Sequence, residues 1–74
     1  MRKEKIIPVY RKIWFKIRYW QNINAISDDE LARIIGVSTR TLSNYDKDAG
    51  SISLRMIDNF LTSIQMDLIS FYNL

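Results

Sequence analysis

The sequence predicts an all-α domain of five short helices, and three observations carry that expectation. Apolar residues recur at spacings of three and four along the chain, no long window alternates as a strand does, and Ser27, Ser38, Ser53 and Asp67 each stand just ahead of such a run, where helix N-caps belong. Seventy-four residues, 47% apolar and 12% aromatic, make one compact domain, residues 1–74, near the lower limit for folding without disulfides or metals. That composition argues against intrinsic disorder.

The first helix is expected to start near Pro8, whose fixed φ suits a first turn, and to run to about Gln21. Tyr10, Ile13, Trp14, Ile17 and Trp20 form its apolar stripe, with Arg11, Lys12, Lys16 and Arg18 on the flanks and back. Phe15 and Tyr19 lie opposite the stripe, either as scattered surface aromatics, as residues covered by the N-terminal tail, or as a contact surface for a second subunit or partner. The second helix carries a capping box, with Ser27 as N-cap and Glu30 three residues on, and Ile26 placed to staple onto Leu31. Asp28 and Asp29 suit the positive end of its dipole.

The third helix follows closely. Asp28 to Lys47 reads DDELARIIGVSTRTLSNYDK. Leu31, Ala32 and Ile35 close one helix, Gly36-Val37-Ser38 turns, and Leu42 and Tyr45 fall three apart on the next. Ala32 keeps the side chain small where two helices cross steeply. Gly36 takes a left-handed backbone that costs other residues roughly 1–2 kcal/mol, and Ser38 caps the helix that follows. Lys47 to Ser51 is expected to be a polar loop hinged at Gly50. Ser53 then caps a fourth helix with Leu54, Ile57, Phe60, Leu61 and Ile64 on its buried face, and Asp67 a short last helix with Leu68, Phe71 and Leu74.

This helix, turn and helix over residues 27–46, with SLRMIDNFLTSIQMDLISF after it, resembles the lambda-repressor-like (Xre/Cro) helix-turn-helix proteins over most of the chain beyond Ile26. The resemblance implies a compact five-helix DNA-binding domain whose second motif helix enters the major groove. With Leu42 and Tyr45 inward, Thr39, Arg40, Ser43 and Asn44 face out, where the family places base contacts; Arg suits guanine, Asn adenine, and Ser or Thr either base or phosphate. One position departs from the family. Where its members often carry a glutamine that reaches a phosphate, this chain has Asp28, followed by Asp29 and Glu30. These three carboxylates would be repelled by the backbone and suit a basic protein partner instead.

Charge is divided unevenly. Residues 1–18 hold seven basic side chains against Glu4 alone, a net of +6, whereas residues 19–74 hold four basic against seven acidic, a net of −3. Phosphate contact is therefore assigned to Arg33, Lys47 and Arg55 and to Arg2, Lys3 and Lys5 of a basic N-terminal arm, residues 1–7, which otherwise acts as a solubilising tail.

There are no cysteines or histidines, so disulfides and thiolate sites are excluded and the commonest general base is missing. Asp28 with Asp29, and Asp46 with Asp48, read as cap and loop residues rather than metal ligands. No enzyme, metal or cofactor is expected, no apolar run reaches membrane-span length, and the setting expected is the cytoplasm. The function expected is sequence-specific binding of double-stranded DNA by a small Cro-type repressor. The alternative is a helix-turn-helix module that binds protein, such as an antirepressor or antitoxin-like chain. A homodimer is expected to read two half-sites, paired through Phe71, Tyr72 and Leu74 or through Phe15 and Tyr19.

Overall fold

Four polar side chains start four of the helices in the computed structural model, which describes residues 6–74. Ser27, Ser38, Ser53 and Asp67 accept the backbone N–H of Glu30, Thr41, Met56 and Ser70 at 3.2, 3.2, 3.0 and 2.7 Å. The helices so begun are α2 (Asp28–Ile35), α3 (Thr39–Lys47), α4 (Leu54–Ile64) and α5 (Leu68–Tyr72); α1 (Val9–Ile23) precedes them behind Pro8. No strand occurs among the described residues, so the all-α expectation holds. Of the expected capping box, the structure shows the half donated by the Glu30 N–H.

The helices stop as their chemistry dictates. Gly36 has φ +89°, and its N–H and that of Val37 both reach the Ala32 carbonyl, at 2.8 and 3.0 Å. Ala25 and Gln65 play the same part after α1 and α4, at φ +54° and +58°, where a side chain is strained. The segment after α3 differs from a simple polar loop. Ala49 is buried, Ala49–Ser51 forms a 3₁₀ turn, and Asp48 accepts the Gly50 N–H at 2.9 Å. Gly50 is no left-handed hinge; a Cβ there would stand 3.0 Å from the Asp48 carboxylate, so its bareness admits that turn.

The core unites all five helices. Trp14 of α1 meets Tyr45 of α3 edge-on at 5.1 Å, Trp20 meets Phe60 of α4 at 5.2 Å, and Phe60 meets Phe71 of α5 at 5.4 Å. Ile17, Leu31, Leu42, Phe60 and Phe71 are wholly buried. Leu54 is a correction. It stands 84% exposed while Met56 takes its place in the core, because a side chain on the first residue of α4 tilts back off the helix end. Phe71 is another: expected at a dimer surface, it is core.

Candidate nucleic-acid interface

Leu42 and Tyr45 bury one face of α3, and the geometry of a nine-residue helix then turns Thr39, Arg40, Ser43 and Asn44 outward. All four are exposed, so the structure brings the expected base-reading set together on one short helix. Arg33 on α2, Lys47 at the end of α3 and Arg55 on α4 are exposed on three different elements. Arg2, Lys3 and Lys5 lie outside the described residues.

A polar clamp that the sequence did not disclose holds α3 in place. The guanidinium of Arg18 donates to both carboxylate oxygens of Asp46, from Nε at 3.1 Å and from a terminal nitrogen at 2.9 Å. The buried Trp14 indole donates to the same Asp46 at 2.7 Å. The other terminal nitrogen of Arg18 reaches Asp28, at the start of α2, at 2.8 Å, and the Gln21 side-chain oxygen at 2.6 Å. Gln21, itself buried, closes the network by donating to Asp28 at 2.7 Å and to the Ile26 carbonyl at 3.0 Å. One side of α1 thus fixes the start of α2 and the second half of α3 together.

The electrostatics follow from these bonds. The Arg18 guanidinium, helped by the Trp14 N–H, holds the Asp46 carboxyl below the usual carboxylate range against a smaller opposing effect of burial. The Gln21 amide and then Arg18 lower Asp28 in the same direction. Asp46, followed by Asp28, raises Arg18 above its ordinary value. Asp28 is therefore not the bare repulsive charge expected at the motif's first residue; its charge is compensated from α1, and of the three acids that start α2 only Asp29 and Glu30 have no ion-pair partner among the described residues. Arg18, placed among the basic flank residues of α1, is correspondingly committed to carboxylates. Trp14 held the one available hint, since a buried indole N–H needs an acceptor.

The two surfaces considered for pairing meet. Tyr72 of α5 shares a groove of about 390 Å³ with Lys12, Phe15, Lys16 and Tyr19 of α1. The Lys16 ammonium lies 5.1 Å from the ring centre of Tyr19 and 5.8 Å from that of Tyr72, and it donates to the Leu74 carbonyl at 2.9 Å. Phe15, Tyr19, Tyr72 and Leu74 are exposed.

Among the described residues no three His, Cys, Asp or Glu side chains gather as a metal site requires, and no helix is long and apolar enough to cross a membrane. No family model, curated protein or solved structure matches this chain.

Proposed function

We propose that the chain is a sequence-specific DNA-binding regulator, a small Cro-type repressor built as a lambda-repressor-like helix-turn-helix domain and acting in the cytoplasm. The observation that carries the reading is the outward face of α3, where Thr39, Arg40, Ser43 and Asn44 stand exposed on a helix whose other face is locked into the core. In this reading α3 lies in the major groove, Arg40 and Asn44 read base edges, and Arg33, Lys47, Arg55 and the basic first residues meet phosphates. The clamp through Arg18 supports it, because a helix that reads bases must hold its orientation while it bonds. Two copies read two half-sites about one helical turn apart. They pair on the DNA rather than in free solution, because the exposed apolar face that would seal a free dimer carries Arg11, Lys12 and Lys16, which repel one another across a twofold axis.

A gel shift against DNA from around the chain's own gene, over a salt series, tests the reading. A preferred fragment that survives competitor DNA is expected, with log affinity falling linearly in log salt by about 0.9 for each phosphate contact. Equal binding of every fragment removes sequence-specific readout. The second reading, a protein-binding module, is favoured by a separate observation, the open apolar grooves between α1 and α5.

A further inference from the structure

Two grooves run side by side along α1, each about 390 Å³ and each walled on one side by Tyr72. The first is aliphatic, with Val9, Ile13, Leu68 and Ile69 around it, and the second aromatic, with Phe15 and Tyr19; Lys12 lines both. Val9, Phe15, Tyr19, Leu68, Ile69 and Tyr72 are all exposed, Ile69 to 73%. From Val9 to Tyr19 the pair of grooves spans about 15 Å at 1.5 Å per residue, the reach of two to three helical turns.

The rim has one sign. Neither groove is lined by an Asp or Glu, and among the described residues no Asp or Glu side chain lies within ion-pair distance of Arg11, Lys12 or Lys16, while the Lys16 ammonium meets the main-chain oxygen of Leu74 at 2.9 Å. On the α3 side of Phe15, outside both grooves, stand two carboxylates: Asp46, bound to Arg18, and Asp48, which accepts the Gly50 N–H. We infer that this face receives an acidic amphipathic helix of a partner protein, its apolar residues seated in the two grooves and its carboxylates against Arg11, Lys12 and Lys16. A second copy of the chain fits less well, because a twofold contact would set the same three cations against each other. Single-stranded nucleic acid fits less well too: Arg11 lies over Phe15 at 5.4 Å and Lys16 over Tyr19 and Tyr72, so each ring already has a cation on one face, and the first groove is aliphatic rather than a stacking platform.

The test is a titration of the isotope-labelled full chain, followed by amide NMR, with a synthetic helical peptide carrying Leu at positions i, i+3, i+4 and i+7 and Glu elsewhere. Its counterpart has Lys in place of every Glu, and oligo-dT is the nucleic-acid arm. The acidic peptide is expected to shift the amides of α1 and α5, not those of α3, and to bind about tenfold more tightly than the lysine peptide. Lys12→Glu should shrink that preference several-fold, and Ile69→Glu should weaken both peptides; both residues are exposed, so circular dichroism should show each variant folded. Equal binding of the two peptides, binding of neither, or tighter binding of oligo-dT at the same amides would overturn the inference. So would a dimer in sedimentation without peptide that Ile69→Glu dissociates, since the occupant would then be a second copy. The gel shift reports on α3 and this titration on α1 and α5, so the two proposals fail separately.

Discussion

Trp14, Arg18 and Gln21 recur at spacings of four and three on one side of α1, and their polar groups bond to α2, α3 and the loop between α1 and α2. Lys12, Phe15, Lys16 and Tyr19 recur just as regularly on another side, where their neighbours are one another and the end of α5. The same helix thus orients α3 with one flank and leaves an open apolar and basic surface on the other. Periodicity in the sequence marks both flanks equally. Which of them is satisfied depends on what the rest of the chain brings, so a regular stripe reports that a face exists and says nothing of whether it is occupied.

Phe71 and Tyr72 test the open flank most severely. Phe71 is wholly buried against Phe60, whereas its neighbour Tyr72 stands half out of the surface. Phe71→Ala should cost about 3–5 kcal/mol, a large share of the roughly 4–11 kcal/mol available to a domain of this length. Tyr72→Ala should cost about 1 kcal/mol or less and should instead weaken peptide binding in the grooves. Thermal melts of both variants check this. Similar losses for the two would place α5 outside the core and leave the grooves without a fixed wall.

Arg40→Ala probes the clamped flank through what it supports. If α3 reads bases, the variant should lose about 1–3 kcal/mol of discrimination at one base pair while acidic peptide binding at α1 and α5 stays as it was. Competition gel shifts with single-base operator variants measure the first, and the NMR titration the second. Unchanged sequence preference would take the reading role from α3.

Much of the fold was legible because its signals are local. An N-cap needs a Ser or Asp next to the helix it starts, and a tight turn such as that at Gly36 needs its glycine in place. The inward pair Leu42 and Tyr45, and with it the outward set from Thr39 to Asn44, follows from helical spacing alone. The clamp was illegible for the opposite reason: Arg18 and Asp46 stand 28 residues apart, and nothing near either names the other. Phe71 was misjudged because a five-residue helix has too few positions to define a buried face. The apolar grooves form only where α1 and α5 meet, so neither segment shows them separately.

The three left-handed helix ends sharpen the local side of that contrast. A Cβ at Gly36 would meet nothing within 4 Å, so Gly36→Val should cost about 1–2 kcal/mol or more from backbone strain. Ala25→Gly and Gln65→Gly should do the reverse. Each relieves strain of about 1–2 kcal/mol and gives back about 0.4–1 kcal/mol through the freer unfolded chain, a net gain of roughly 0.5–1 kcal/mol. Melting temperatures of the three variants give the signs directly. A destabilised Ala25→Gly would mean that its methyl group packs more tightly than its exposed position suggests.

The smallest effect belongs to the clamp itself. Asp28 and Asp46 remain largely in contact with solvent, so their pairing with Arg18 is screened, and Arg18→Met should cost about 1 kcal/mol or less at neutral pH. Its pH dependence is more telling than its size. Both carboxyls have folded pKa values below the ordinary value, so near pH 4 the unfolded chain binds more protons than the folded one, and stability rises with pH through that range. Their contribution is therefore present above about pH 4 and is lost as pH falls through their lowered values. The gap between wild type and Arg18→Met should be widest near neutrality and close as the solution is acidified. Asp67, lowered by the Ser70 N–H and remote from Arg18 in the network, should keep its own acid sensitivity in both proteins. Urea denaturation between pH 3 and 7 measures the gap. If it is the same at both ends, Arg18 acts through its packing over the Trp14 ring, where the guanidinium lies 5.2 Å from the ring centre, and not through the carboxylates. In the first case, if α3 reads bases as proposed, the same variant should weaken DNA binding across all sequences without changing the preferred base, because it loosens how α3 is held and leaves the outward side chains of α3 untouched.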